Sequence, residues 1–180
     1  MLSRRLLRVK VMQTVYGHFR GGGKTTINET EKELFHSIAK SYELYHLLLL
    51  LIVDIRDYAE KRIELGLSKK RPTNEEKNPN RKFINNRVVL QLKDNRQLLR
   101  YIDATGLSWS NNEQFVKDIY KIVVESDLYQ DYMASGQESY DADRRFLAKL
   151  MEKVIGQHLP RYALFEEQSI YWSDEDEFVV

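Results

Sequence analysis

The chain has 180 residues, 42% hydrophobic and 31% charged, with no cysteine. That length and balance fit a folded chain with a real core and exclude a disordered one. Without cysteine, disulfides, thiolate metal sites and a cysteine nucleophile are excluded, which fits a reducing, cytoplasmic setting. The longest apolar run, Leu47 to Val53, is far short of the ~20 residues a membrane span needs. Arginines within the amino-terminal apolar stretch break up any signal-peptide core, so the sequence reads as having no membrane segment.

The net charge of +1 hides an uneven distribution. Arg4, Arg5, Arg8, Lys10, Arg20 and Lys24 are the charged residues of positions 1–28, and no acidic residue lies among them. Glu166, Glu167, Asp174, Glu175, Asp176 and Glu177 are those of positions 164–180, with no basic residue. A basic head and an acidic tail read either as two surfaces with different partners or as segments that neutralise each other in the fold. The acidic end alone reads as a surface for a basic protein or as solvated chain.

The pattern predicts an all-α fold: a helical bundle in one domain over residues 1–180, built around a long buried central helix. The first helix is expected over 3–20, with Ser3 as N-cap. Its apolar stripe is read from Leu7, Val11 and Val15, widened by Leu6, Val9, Met12, Tyr16 and Phe19. Gly21-Gly22-Gly23 ends it. Thr30 and Glu33 have capping-box spacing, and no breaker follows until Gly66, so a helix of about 35 residues is expected. Between Tyr45 and Ile55 it is apolar nearly all round, which requires burial on several sides.

Residues 68–82, with two prolines, three asparagines and many charges, read as a solvated loop. A third helix is expected over 85–102, with Val88, Leu92, Leu99 and Ile102 on one side. A second capping box at Ser110–Glu113 would open a helix carrying Phe115, Ile119, Ile122 and Val123 toward Met133. After the break at Ala134-Ser135-Gly136, residues 141–158 read as a helix with Phe146, Leu147, Leu150, Val154 and Ile155 inward. A short helix is expected from Pro160 through Tyr171, and Ser173 to Asp176 look like the cap of another. That last segment is cut at Val180, so the chain is expected to be a piece of a longer protein. There is no strand alternation and no internal repeat.

Catalytic patterns are absent. Gly21-Gly22-Gly23-Lys24-Thr25-Thr26 has the lysine and threonine of a phosphate loop, but it follows a helix rather than a strand and lacks the glycine spacing, so it reads as a flexible connector. His18, His36, His46 and His158 are not paired at three or four residues, and no HExxH occurs, so neither a metal nor a cofactor is expected. The sequence does not read as an enzyme.

The first helix carries the strongest signal. Arg4 and Arg8 stack at i and i+4, with Arg5 beside them and Lys10 further round. Cations at a helix start oppose the dipole. Arginine grips phosphate with a planar fork and stacks on bases. Gln13 adds a base-edge hydrogen-bonding group and Tyr16 a stacking platform. Arg4, Arg5, Arg8, Lys10, Gln13 and Tyr16 are therefore the candidate RNA-binding residues. The same pattern also fits a solvated amphipathic helix whose basic face aids solubility.

The string SRRLLRVKVMQTVYGHFR, with Arg4, Arg5, Arg8 and then Met12-Gln13-Thr14-Val15-Tyr16, resembles the opening helix of the NusB family of bacterial transcription antitermination factors. FVKDIYKIVVESDLYQDYM and FEEQSIYWSDEDEFVV resemble segments of longer, Bacteroidetes-type NusB-like proteins, in which extra helices precede the carboxy-terminal half. The family's carboxy-terminal helices would follow Val180. The resemblance implies an all-helical protein that binds boxA-like RNA. Its implied partner is a small ribosomal-subunit protein that doubles as an antitermination factor, with the RNA polymerase complex engaged indirectly. The matching RNA-side positions would be Arg4, Arg5, Arg8, Gln13 and Tyr16. Two other readings stay open: a helical protein–protein scaffold without RNA binding, and a helical accessory domain of an RNA-modifying enzyme.

Overall fold

The computed structural model describes residues 3–158, 165 and 169–172, and among them the fold is all-α, without a strand. Within what the sequence reads as one domain, the chain divides into two compact units: Met1–Tyr45 with His158–Val180, and His46–Gln157. The long helix α2 (Ile27–Leu67) contributes to both. No described helix is long and apolar enough to cross a membrane.

In the first unit, helix α1 (Arg4–Arg20) starts at Ser3, whose hydroxyl accepts from the Leu6 amide at 3.1 Å. It ends in a Schellman turn: the Gly23 amide donates to His18 O and the Gly22 amide to Phe19 O, each at 3.1 Å. Gly22 has φ 74° and Gly23 φ 66°, which glycine adopts without a Cβ penalty. The glycine run is thus a hydrogen-bonded stop rather than a loose connector.

Helix α2 begins one turn before the sequence reading places it. The sequence contains Thr-x-x-Glu twice, and the first copy forms the box: Thr26 N donates to Glu29 Oε2 at 2.7 Å and Glu29 N to Thr26 Oγ1 at 3.3 Å. Thr30, expected as the cap, sits inside the helix and donates to Thr26 O at 3.0 Å. From Tyr45 to Ile55 no residue of α2 is exposed, as its apolar circumference requires. Leu44, Phe165 and Trp172 are buried in the first unit, where the Trp172 indole donates to Lys40 O at 2.8 Å.

The second unit covers α2 from His46 onward. The expected loop over 68–82 contains a one-turn helix, α3 (Asn74–Lys77), closed by a Thr73–Glu76 capping box. Two expected helices are each divided by an unread cap. Asn95 accepts from the amides of Gln97 and Leu98, so 85–102 becomes α4 (Arg87–Lys93) and α5 (Arg96–Thr105). Val89 and Leu98, rather than the expected Leu99, are their buried residues. Ser126 likewise divides the next stretch into α6 (Glu113–Glu125) and α7 (Asp127–Ala134). The box expected at Ser110–Glu113 does not form, because a 3₁₀ turn over Ser110–Asn112 precedes α6 without a side-chain cap.

Helix α8 (Tyr140–Lys149) widens into i→i+5 turns over Leu150–Ile155 before a last helical turn, α9 (Gly156–His158). A Cβ on Gly156 would lie 2.9 Å from Met151 O, so the wide turn requires glycine there. Phe146, Leu147, Leu150, Val154 and Ile155 are all buried, as the sequence predicts. The helix expected from Pro160 falls largely outside the described residues, and the cap at 173–176 wholly so.

Polar groups lock this packing. The Trp109 indole donates to Leu47 O at 3.0 Å and its ring stacks on Phe115. Arg56, 6% exposed, donates through Nε to Ile84 O and pairs with Asp57 and Glu60. Asn86, fully buried, caps α4 through Oδ1 and donates through Nδ2 to Tyr132 Oη at 3.2 Å, which itself donates to Asp143 Oδ1 at 2.7 Å. Asn86→Ala removes the cap and strands the amides of Val88 and Val89, so chemical denaturation should show a loss of about 2–3 kcal/mol.

Asp54 is half-buried, and desolvation, with the Asp57 charge adding to it, raises its pKa to about 6. Between the ordinary carboxylate pKa of 3.8 and about 6 the folded state holds this proton more tightly than the unfolded chain. Asp54 therefore withdraws stability as pH rises across that window, and a constant amount above it. Allowing for solvent screening of a half-buried group, Asp54→Asn should gain about 1 kcal/mol at pH 7. The gain should vanish near pH 4, and an equal gain at both pH values would assign it to packing instead.

Candidate nucleic-acid interface

Helix α1 turns much of the face expected to be its apolar stripe outward, although Leu6 of that stripe is buried and Leu7 and Val9 are half-buried. Leu6 and Lys10 are its only buried described residues, whereas Val11 and Val15 are each 44% exposed, Tyr16 62%, Met12 70% and Phe19 74%. The inversion has a local cause at Lys10. Its side chain lies along the inner line of the helix, 3% exposed, and its ammonium donates to Tyr171 O at 2.7 Å.

Successive helical residues advance about 100°. On that wheel Arg4, Arg8 and Arg5 fall within about 120° of arc, together with Val15, Phe19, Met12 and Tyr16. Lys10 projects on the opposite side. All three arginines are exposed, and none has a hydrogen bond or ion pair among the described residues. There is no acidic residue in the first turn to offset them against the helix dipole. The face is therefore cationic and interleaved with aromatic and flexible apolar side chains.

The structure brings Arg4, Arg5, Arg8 and Tyr16 onto one face, leaves Gln13 about 60° outside that arc, between Tyr16 and Lys10, and removes Lys10 from it. Sequence proximity alone groups Lys10 with the RNA-facing cations, and its burial corrects that grouping. The arc gains Arg20, which donates to Tyr16 Oη at 3.1 Å and lies 6.0 Å from the Tyr16 ring centroid. The i, i+4 spacing of Tyr16 and Arg20 is the signal that could have found it.

Beside Gln13, a cleft of about 680 Å³ opens between α1, the glycine turn, the first turns of α2 and Tyr171. His18, Thr25 and Thr30 form one polar cluster on its wall: Nδ1 of His18 lies 2.8 Å from Thr25 Oγ1 and 3.1 Å from Thr30 Oγ1. Because the Thr30 proton goes to Thr26 O, Thr30 is satisfied when His18 Nδ1 carries the proton and donates. Opposite, Tyr171 donates to Glu33 Oε1 at 2.7 Å, and this hydrogen bond to a carboxylate raises the phenol's pKa. The cluster is invisible in the sequence, since its members come from three segments.

No protein-family model, curated protein or solved structure matches the chain.

Lys10→Met keeps the aliphatic stem but leaves the Tyr171 carbonyl without its donor, so unfolding free energy should fall by about 1–3 kcal/mol. A change below about 0.5 kcal/mol would mean that the ammonium anchors nothing.

Proposed function

We propose that the chain is an RNA-binding transcription antitermination factor of the NusB type, acting by non-covalent assembly rather than catalysis. The observation that carries this reading is the α1 face, on which three arginines without a partner among the described residues are interleaved with exposed Tyr16, Phe19 and Met12. Such a face supplies phosphate neutralisation and stacking together, the two requirements of single-stranded RNA. In this reading Arg4, Arg5 and Arg8 contact phosphates, Tyr16 stacks on a base and Gln13 bonds a base edge, while Lys10 anchors the helix. The sequence resemblance adds boxA-like RNA as the ligand and a small ribosomal-subunit protein as the partner that sharpens specificity.

A second reading, a protein-interaction scaffold, is favoured by one feature of the same face: the exposure of Phe19, Met12, Val11 and Val15 beyond what phosphate binding needs.

Fluorescence anisotropy of a boxA-like RNA and a scrambled control across a salt series tests the proposal. Replacing Arg4, Arg5 and Arg8 by Ala should weaken binding at least tenfold at low salt. It should also reduce the slope of log K against log salt by about 2, since each phosphate left unneutralised on a single strand removes roughly 0.7. Wild-type protein that ignores both RNAs at low salt, yet retains a protein partner after the triple substitution, belongs to the scaffold reading.

A further inference from the structure

We propose that a cleft between the turn after α3 and the loop after α7 binds a terminal phosphate group, free or carried as a monoester. The cleft lies wholly within the second unit, and its assignment does not depend on the RNA reading of α1.

The sequence concentrates positive charge here. Positions 69–87 hold Lys69, Lys70, Arg71, Lys77, Arg81, Lys82 and Arg87 against only Glu75 and Glu76. Of these, Arg81, Lys82 and Arg87 line one cleft of about 440 Å³, room for a phosphate and the start of its carrier. Like charges gathered round one space repel one another unless an anion lies among them.

One wall is fixed before any ligand arrives. Asn80 donates to Met133 O at 3.0 Å and accepts from the Lys82 amide at 3.0 Å, which ties the turn to the end of α7. Lys82 then lies over the Tyr132 ring, 4.6 Å from its centroid, and donates to Ser135 Oγ at 2.8 Å and to Ser135 O. An ammonium has three protons, so one is left for a ligand.

The arginines are left entirely to solvent. Arg81 and Arg87 are exposed, and neither guanidinium has a hydrogen bond or ion pair among the described residues. The carboxylates of the lining do not hold them. Asp143 is 6% exposed, with Oδ1 taking the Tyr132 hydroxyl proton at 2.7 Å and Oδ2 the Arg87 amide at 3.2 Å, so its charge is turned inward. Glu138, exposed beside the cleft, offsets one cation and leaves the lining net positive.

The donors select the ligand. Two guanidinium forks, the remaining Lys82 proton and the exposed Asn85 amide outnumber what a carboxylate can accept. A phosphodiester brings two free oxygens and one charge, whereas a terminal phosphate brings three and close to two charges. No aromatic side chain lines the cleft, so it offers no platform for a base.

The test titrates inorganic phosphate, methyl phosphate and dimethyl phosphate into the ¹⁵N-labelled chain at constant ionic strength and follows amide shifts by NMR. Phosphate and methyl phosphate should saturate, with the largest shifts at residues 81–87 and 135. Dimethyl phosphate should bind about tenfold more weakly or less, having lost one charge and one oxygen. Arg81→Gln with Arg87→Gln should weaken phosphate binding at least about tenfold, the worth of one hydrogen bond to a charged group. Lys70→Gln with Arg71→Gln removes two exposed cations from the same segment outside the cleft, and should change affinity by less than about twofold. Dispersed spectra show that each variant is folded. Shifts that fail to saturate in wild type, or an equal loss from both pairs of substitutions, overturn the site in favour of diffuse surface charge. Dimethyl phosphate that binds as tightly as methyl phosphate overturns the choice of a terminal phosphate.

Discussion

A helix with no polar side over three turns cannot stand in water, and that constraint on α2 organises the second unit. Tyr45 to Ile55 admit no exposed position, so every side of this stretch needs a partner. The partners arrive on short helices and on the turns between them, and polar ties accompany the apolar cover. Trp109 gives its indole proton to Leu47 O, Arg56 reaches Ile84 O, and Lys93 bonds both carboxylate oxygens of Asp57. Burial of the apolar surface supplies the driving force, and the ties select one arrangement among many of similar area.

The sequence made the class of fold and the identity of most core residues legible, because 3.6-residue periodicity is a direct consequence of burial. Phe115, Ile119, Val123 and the Phe146–Ile155 set were all readable in this way. Helix ends were less so, for a physical reason. Caps depend on which of several competent residues the incoming chain reaches first. Thr26 and Thr30 both offer Thr-x-x-Glu, and only the geometry of the glycine turn before them decides. Asn95 and Ser126 lie within otherwise good helical patterns, where an Asn or Ser reads as tolerable until its side chain is seen bonding the amides ahead.

Helix α1 is the instructive failure of periodicity. Its residues offer two stripes: one of Leu7, Val11 and Val15, the other the line of Leu6 and Lys10. Hydropathy ranks the first higher, yet the second is buried. A lysine stem has nearly the apolar length of a leucine, and its charged end becomes tolerable where a carbonyl meets it. Tyr171 O is 161 residues away in sequence, so nothing local to α1 announces it. The burial of Lys10 and the exposure of Val11, Val15 and Phe19 are one event, because a helix that turns one face in must turn the other out.

That coupling bears on the arginines. Had the expected stripe packed inward, Arg4 and Arg8, which share its side of the helix, would have been drawn toward the core and would have needed partners there. The rotation that buries Lys10 instead carries them into solvent together with Tyr16, Met12 and Phe19. The fold therefore uses its cations in two distinct ways. Lys10 and Arg56 are buried and satisfied by carbonyls or carboxylates, and they hold the packing. Arg4, Arg5 and Arg8 have no partner among the described residues, sit where the helix dipole disfavours them, and lie among apolar side chains that water also disfavours. On the proposed reading, each unfavourable term would be relieved by the same event, the arrival of a polyanion with stackable rings.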